Sequence, residues 1–271
     1  MTASRSDLSI RTATGVLLIA VALIALALGG FAFWLLLAVA GVLMMGEWGA
    51  LHGASPRATR LAQFALFVPL VTMAPAWILG ETRDFFTIGL LAGAAFFVVI
   101  VTRQPRLAQG VLYAGVPVMA LIVIRRQPGG DGLLWALWAL ALVWATDIGA
   151  YFAGRAIGGP KLWPAVSPNK TWAGLIGGMA AASLFAAVLH TAAGLPLRLT
   201  VATPALAVLA QGGDLYESWL KRRAGAKDSG ALLPGHGGVM DRLDGVVPVA
   251  PVAALLVALP AILDFLGRQT A

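Results

Sequence analysis

The residues best suited to chemistry lie in one long polar stretch near the C-terminus, residues 211–245. Its first part contains a carboxylate, a hydroxyl and an ammonium group at i, i+4 and i+7, namely Asp214, Ser218 and Lys221. If a helix continues through Lys221, these side chains share one face. A carboxylate and a cation aligned in this way can hold a metal ion and contact a phosphate. The spacing therefore indicates a metal and phosphate site.

The second part of the stretch places charges on both sides of a glycine-rich turn. Its members are Arg222, Lys227, Asp228, His236, Gly237, Gly238, Asp241, Arg242 and Asp244. The paired glycines let backbone amides approach an anion, and Asp241 and Asp244 are neighbours if the next helix begins there. A solvated basic loop is the plain alternative and explains the bases. It does not explain acids grouped at the membrane ends of two helices.

Two upstream segments offer further partners. Asp147 lies in an apolar run, where an ionised side chain costs about 2.5–3.5 kcal/mol on insertion scales. An ion pair with Arg155 and a direct functional role are both open for it. The connection that follows supplies donors for an anion, namely Lys161, Ser167, Asn169, Lys170 and Thr171. Asn169 or Thr171 could equally cap the next helix.

Composition decides what kind of protein holds these residues. Apolar residues occupy 59% of 271 positions and charged residues 11%. Soluble domains are about 25% charged, so this is an integral membrane protein. Cysteine is absent and the three histidines are scattered, so carboxylates must hold any metal, and they favour Mg²⁺. There is no P-loop pattern, and the bases fall in short connections, which argues against a nucleic-acid partner.

The apolar runs predict an all-α polytopic membrane protein with about nine transmembrane helices of ~20 residues each. The predicted spans are residues 12–29, 31–48, 62–80, 85–102, 107–124, 132–153, 172–191, 199–216 and 245–266. A signal peptide is the alternative for the first run, but this run is long enough to span and a second follows at once.

The distribution of bases predicts the orientation of these spans. With the N-terminus cytoplasmic, fourteen of the 19 Lys and Arg residues lie inside and five outside, which places the C-terminus on the opposite side. Connections 154–171 and 217–244 then share the cytoplasmic side. No repeat or linker divides the chain, so residues 1–271 are predicted to form one membrane domain. Within it, residues 1–131 supply N-terminal membrane helices, and residues 132–271 supply catalytic helices and loops.

From Ser218 to Asp244 the chain reads SWLKRRAGAKDSGALLPGHGGVMDRLD. This run resembles, in order and spacing, the signature of the phosphatidate cytidylyltransferases, also called CDP-diacylglycerol synthases. Three upstream segments are similar to further parts of that family: Gln211-x-Gly213-Asp214, Asp147-x-Gly149-Ala150-Tyr151 and Ser167-Pro168-Asn169-Lys170-Thr171. The resemblance covers residues 140–245. One departure is Ala173, where the family commonly has Glu, so no carboxylate is expected to act there.

The resemblance implies an enzyme that transfers CMP from CTP to phosphatidic acid and releases pyrophosphate. It implies one or two Mg²⁺ ions as cofactor, with Asp214 and Asp241 as the ligands. A monovalent cation as a second cofactor stays open. The cations expected to hold the triphosphate or the lipid phosphate are Lys221, Arg222, Lys227 and Arg242. The expected nucleotide contacts are Ser167, Asn169, Lys170 and Ser218, with Asp147, Thr171, Gly237 and Gly238 also in the binding site.

Several roles stay open between alternatives. His236 either donates to a phosphate or shapes the Gly-Gly turn. Asp228 and Asp244 are either further ligands or partners that orient Lys227 and Arg242. Glu217, four residues before Lys221, is expected to form an ion pair on the helix surface.

The resemblance also implies a setting: a cell membrane, plasma or inner, with the active site on the cytoplasmic side and a homodimer as a further expectation. Two other functions compete with it. One is a CTP-dependent polyprenol or lipid kinase, which transfers the γ-phosphoryl group instead. The other is a secondary transporter of organic anions, because intramembrane acids and broken helices can line a substrate path.

Overall fold

The computed structural model describes residues 5–79, 84–233, 235 and 237–270. Over these residues the chain is mainly helical, with one two-stranded sheet. In chain order the elements are α1 (Arg5–Leu28), α2 (Gly30–Leu51), α3 (Pro56–Thr72), α4 (Ala76–Leu79), α5 (Asp84–Thr102), α6 (Pro105–Arg125), α7 (Asp131–Ile157), β1 (Lys161–Trp163), β2 (Ser167–Thr171), α8 (Trp172–Ala193), α9 (Leu197–Arg223), α10 (Met240–Leu243) and α11 (Val246–Thr270).

The chain is a multi-pass membrane protein. Five of its described helices are long and apolar enough to cross a membrane: Gly30–Leu51, Pro105–Arg125, Asp131–Ile157, Trp172–Ala193 and Val246–Arg268. All the predicted spans except the third fall on one helix each. The third is divided, because Pro75 cannot continue a helix and disfavours helical geometry in the residue before it. The count of nine spans and the orientation of the termini stay predictions.

One short β-hairpin corrects the purely helical expectation. The strands β1 and β2 pair antiparallel, with Lys161 opposite Thr171 and Trp163 opposite Ser167. Prolines keep this connection out of helix, as expected, and the hairpin supplies part of its backbone hydrogen bonding. The helix of the last predicted span begins at Val246, which agrees with the predicted start at residue 245. Asp241 lies before it on the separate short helix α10.

The chain forms two compact units. The first comprises the residues up to Ile122 together with Tyr216–Asp244, and the second comprises Val123–Leu215 and the residues from Gly245 onward. The division runs through α6 and α9. The stretch most similar to the family signature therefore groups with the N-terminal helices, whereas the upstream motifs and Asp214 group with the second unit.

In the first unit, α2 is fixed against its neighbours by two buried tryptophans. The indole N–H of Trp34 donates to the backbone carbonyl oxygen of Leu70 at 2.8 Å, and the indole N–H of Trp48 donates to the backbone carbonyl oxygen of Arg106 at 2.7 Å. Gly110 leaves room for Trp48, since a Cβ there would lie 2.4 Å from the indole ring. These contacts make α2 a rigid support for the residues at its C-terminal end.

In the second unit, α7 and α8 approach closely through small residues. A Cβ added to Gly149 would lie 2.6 Å from the carbonyl oxygen of Gly177, and one added to Gly178 would lie 2.8 Å from that of Thr146. Small residues four apart allow membrane helices to meet in this way. This packing fixes the end of α7 beside the hairpin that precedes α8.

Candidate functional site

The helix α9 continues to Arg223, as the spacing of Asp214, Ser218 and Lys221 required. These three side chains therefore lie on one face of a single helix. Its last turn carries the bases Lys221, Arg222 and Arg223, which is favourable because helix C-termini attract positive charge.

In the second unit, three motifs distant in sequence meet in one chain of contacts, which we call the Asp214 cluster. The ammonium of Lys170, on β2, lies 2.5 Å from Oδ2 of Asp214 and donates to Oε1 of Gln211 at 2.9 Å. The amide nitrogen of Gln211 in turn donates to Oδ1 of Asp147 at 3.1 Å. Lys170 and Asp214 thus lie in one cluster, together with Asp147, an exposed acid on α7.

The other predicted residues of this unit have more varied surroundings. Thr171 takes the capping role, since its Oγ1 accepts from the amide of Gly174 at 3.0 Å at the start of α8. Ser167 is half-buried and Asn169 is exposed on β2. Arg155, the base proposed as a partner for Asp147, donates to the hydroxyl of Tyr151 at 3.0 Å.

In the first unit, Asp241 is the centre of a second group of contacts, the Asp241 cluster. Its Oδ1 lies 2.5 Å from the ammonium of Lys221. Its Oδ2 accepts three hydrogen bonds of 2.8 Å, from the amide and hydroxyl of Ser229 and from the amide of Gly238. The side chain is 4% exposed, so this carboxylate is held in a single orientation by nearly buried donors.

These contacts decide the charge of Asp241. Burial alone would raise its pKa, but the Lys221 ammonium and the donors from Gly238 and Ser229 outweigh burial and lower the pKa to about 2. Burial alone would lower the pKa of Lys221, but the hydrogen bond to Asp241 and the negative charge of Asp241 outweigh burial and raise this pKa. Both groups are therefore charged at neutral pH.

Glu217 behaves differently from the expected surface pair. Its side chain is fully buried, and neither carboxyl oxygen accepts a well-formed hydrogen bond, although Oε1 lies 3.2 Å from the Lys221 ammonium. Burial, followed by the negative charge of Asp244, raises its pKa to about 9. Lys221 therefore pairs with the ionised Asp241, and Glu217 is a neutral neighbour near pH 7.

Glu47, on α2, is a member of the Asp241 cluster that the sequence interpretation missed. Its Oε1 accepts from the amide of Val239 at 2.8 Å and its Oε2 from the amide of Met240 at 2.7 Å. Its Oε2 also accepts from the hydroxyl of Ser229 at 3.0 Å. The signal was present in the sequence, since Glu47 is an acid inside a predicted apolar span.

The glycines of the turn serve these carboxylates directly. Gly237 has φ of +77°, which favours glycine, and a Cβ there would lie 2.6 Å from Oδ2 of Asp241. A Cβ on Gly238 would lie 2.3 Å from Oγ of Ser229 and 2.5 Å from the carboxyl carbon of Glu47. The amide of Gly238, expected to approach a phosphate, here donates to Asp241.

The remaining predicted residues of the first unit are more open. The exposed members are Arg222, Lys227, Asp228 and Arg242. Ser218 and Asp244 are half-buried. His236 lies outside the described residues. The exposed bases Arg222, Lys227 and Arg242 are therefore accessible to a polyanion.

The donor chemistry fits a hard divalent cation. Asp214 and Asp241 offer carboxylate oxygens, and each already holds a cationic ammonium at 2.5 Å. Among the described residues, no group of three or more acidic or histidine side chains is arranged to hold a metal ion. Mg²⁺ is usually bound by only one or two protein carboxylates, because it keeps several waters and also binds the phosphate oxygens of its substrate.

The sequence model of the cytidylyltransferase family matches residues 9–259, which include both clusters and the helices that carry them. The chain belongs to the cytidylyltransferase family. Curated relatives support this assignment over nearly the whole length. The phosphatidate cytidylyltransferase of Brucella abortus biovar 1 (strain 9-941) is 40% identical over 278 aligned positions, covering 97% of each chain. That of Brucella melitensis biotype 1 is 41% identical over 263 positions and covers 94% of each.

A more distant relative is also named a phosphatidate cytidylyltransferase. The phosphatidate cytidylyltransferase of Bacillus subtilis (strain 168) is 37% identical over 200 positions, covering 73% of this chain and 68% of its own. Family membership therefore extends through the N-terminal helices as well as the signature, so Glu47 lies within the matched region of the cytidylyltransferase family.

Proposed function

We propose that this membrane enzyme transfers CMP from CTP to phosphatidic acid, giving CDP-diacylglycerol and pyrophosphate. The observation that carries the proposal is the family match over residues 9–259, with relatives at 40% identity named phosphatidate cytidylyltransferase. The two clusters of carboxylates and ammonium groups support it, because nucleotidyl transfer needs cations around a triphosphate.

The chemistry needs positioning and charge neutralisation more than proton transfer. A phosphate oxygen of the lipid attacks the α-phosphorus of CTP, a new P–O bond forms, and the bond to the β-phosphate oxygen breaks as pyrophosphate leaves. The lipid phosphate is already ionised near pH 7, so no general base is required. Lys221, Arg222, Lys227 and Arg242 are the proposed phosphate-binding groups, and Lys170 the proposed nucleotide contact.

Magnesium is the proposed cofactor, with Asp214 and Asp241 as separate candidate ligands. When bound, it would neutralise charge on the phosphates of CTP and on the leaving pyrophosphate. The support for Asp241 is its ionised state and fixed orientation, and the support for Asp214 is its contact with Lys170. That Asp214 and Asp241 bind the same ion is a prediction from the sequence alone.

The setting follows from the same proposal. Phosphatidic acid and its product are membrane lipids, which agrees with a multi-pass protein. The bias of basic residues supports an active site on the cytoplasmic side of the cell membrane, because positive connections are retained there. A homodimer is a further proposal, supported by the family resemblance.

Product analysis tests the proposal against its rivals. Purified protein in lipid nanodiscs receives Mg²⁺, phosphatidic acid and CTP labelled on the α- or γ-phosphate. We expect α-label in CDP-diacylglycerol and γ-label in pyrophosphate. Transfer of γ-label to lipid with release of CDP would instead identify a kinase. Uptake of substrate into sealed vesicles without any product would identify a transporter.

A further inference from the structure

We infer that Glu47 is a positioning residue for nucleotidyl transfer, acting through Ser229 and the start of α10 to orient the carboxylate of Asp241. The inference rests on the proposed function, in which Asp241 binds the metal ion. It assigns to an N-terminal membrane helix a direct part in building the active site. Glu47 lies 182 positions from Ser229 and 192 from Val239, so this contact exists only in the folded chain.

The carboxylate of Glu47 closes the N-terminal end of α10 from outside. Val239, the N-cap residue of α10, provides no side-chain hydrogen bond of its own. Instead the two oxygens of Glu47 accept separately from the amides of Val239 and Met240. The two carboxylate oxygens of Glu47 thus bind the two successive backbone amides at the start of α10. These two hydrogen bonds fix the orientation of α10 and so the position of the next residue, Asp241.

Ser229 connects the two carboxylates. Its hydroxyl oxygen lies 2.8 Å from Oδ2 of Asp241 and 3.0 Å from Oε2 of Glu47. A serine hydroxyl carries a single hydrogen, so it can give a full hydrogen bond to only one carboxylate at a time. Its position between them nevertheless ties the orientation of Asp241 to that of Glu47. Outer contacts of this type orient metal ligands and affect the affinity for the ion.

The site of Glu47 is rigid and closely fitted. Its neighbour Trp48 is 2% exposed and is anchored to Arg106. A Cβ added to Gly230 would lie 3.0 Å from Oε1 of Glu47, and one added to Gly238 would lie closer still. The two glycines therefore leave the space that the carboxylate fills.

A purely structural cap would not require this arrangement. A Ser, Thr, Asn or Asp at position 239 could cap α10 locally, as such residues do at most helix starts. An acid in an apolar span is costly by comparison. The remote carboxylate does what a local cap cannot, because it reaches Ser229 and α10 together and so fixes both sides of Asp241.

The test compares the response to magnesium in four full-length variants in nanodiscs: Glu47→Gln, Ser229→Ala, Asp241→Asn and the control Asp264→Asn. Glutamine keeps the size of Glu47 but can accept from only one of the two amides. Asp264 is an exposed acid on α11, in the other unit. Two midpoints are measured: the Mg²⁺ concentration for half-maximal rate, and the Mg²⁺ concentration for half of the Mg²⁺-induced rise in Tm, the second with CTP but without phosphatidic acid.

We expect Glu47→Gln to raise both midpoints by about tenfold or more, the range typical for outer contacts of metal ligands. Ser229→Ala should also raise them by about tenfold or more, because one hydrogen bond to a charged group is lost. Asp264→Asn should change neither. A lower maximal rate with unchanged midpoints in both Glu47→Gln and Ser229→Ala would mean a structural role only and would overturn the inference, as would unchanged kinetics.

Failure of the proposed function gives a different pattern. If Asp241→Asn keeps the wild-type rate and midpoints, the metal role of Asp241 is wrong, whatever Glu47 does. If Asp241→Asn loses activity while Ser229→Ala and Glu47→Gln keep the wild-type midpoints, only the positioning role is wrong. Should Glu47→Gln fail to fold, Ser229→Ala decides alone, and unchanged midpoints in it reject the inference.

Discussion

The ammonium of Lys221 lies 2.5 Å from Oδ1 of Asp241, 20 positions along the chain. The same pairing occurs in the second unit, where Lys170 lies 2.5 Å from Asp214. Each of the two acids predicted to bind a metal ion is thus paired with a lysine predicted to bind substrate. Each lysine offsets the negative charge of its carboxylate and provides a cation beside it for a phosphate group.

The first prediction concerns Asp241→Asn. The amide keeps the shape of the side chain but removes the charge that Lys221 and a divalent cation require. We expect the rate of CDP-diacylglycerol formation to fall by about a hundredfold or more, the upper range for loss of a metal-site interaction. The measurement is the rate at saturating CTP over a range of Mg²⁺ concentrations. Wild-type turnover at high Mg²⁺ would exclude Asp241 from the metal site.

The signature predicted part of this geometry. The spacing of Asp214, Ser218 and Lys221 correctly required a continuous helix, because i, i+4 and i+7 positions share a face. The pairing of Lys221 with Asp241 did not follow from spacing, since it depends on the path of the turn between α9 and α10. The position of Glu47 followed still less, because contacts across 192 positions are set by tertiary packing.

The second prediction concerns the Asp214 cluster. In a double-mutant cycle, Lys170→Gln and Asp214→Asn should each reduce turnover, and the double variant should lose much less than the product of the two effects. The reason is that both substitutions remove one shared contact, and residues in contact are non-additive. The kinetic constants for CTP provide the measurement. Multiplicative losses would show that the two residues act independently.

Gln211→Ala provides the third prediction. Its side chain joins Lys170 to Asp147, and the residue is 5% exposed, so its truncation removes the contact between these two groups. We expect KM for CTP to rise and kcat to fall, so that kcat/KM drops by about ten- to a hundredfold, since a lost contact to a charged group costs roughly 1.5–3 kcal/mol. Gln63→Ala is the matched control, because Gln63 donates to a backbone carbonyl in the first unit at 2.9 Å. An equal loss in both variants would indicate general destabilisation.

The fourth prediction compares two glycine substitutions. In Gly238→Ala the new methyl group would meet the carboxyl carbon of Glu47 at 2.5 Å, so Glu47 and Ser229 must move and Asp241 loses its orientation. We expect a large loss of activity with the protein still folded. Gly212→Ala is the control: nothing lies within 4 Å of its Cβ, and it is inside α9. It should keep activity and gain up to about 1 kcal/mol of stability. Full activity of Gly238→Ala would contradict the described fit.

The glycines show why sequence reasoning stops short of the site. A Gly-Gly pair beside charges was interpreted as a place where amides meet an anion, which is its common use. Among the described residues, the amide of Gly238 donates to Asp241, and a Cβ on Gly238 would lie 2.5 Å from the carboxyl carbon of Glu47. These contacts did not follow from the sequence pattern. Binding of a substrate anion by the two glycines stays a prediction.

The last prediction concerns Glu217, whose pKa is raised by burial to about 9. In the unfolded chain the pKa of Glu217 is about 4.3. Between these two values the folded protein binds more protons than the unfolded chain, so stability falls as pH rises. The stability contributed by protonated Glu217 is fully present below about pH 4 and is lost as the pH rises through about 9. Glutamine at position 217 is uncharged at every pH, so Glu217→Gln lacks this pH-dependent loss of stability. A stability difference of roughly 1 kcal/mol changes Tm by about 2–4 °C in a domain of this size, so the Tm of Glu217→Gln should exceed that of wild type by at least this much at pH 8. The measurement is Tm from pH 5 to 9.5 in EDTA, with Asp264→Asn as the control. Parallel curves of Tm against pH for wild type and Glu217→Gln would show that Glu217 is ionised in the folded protein.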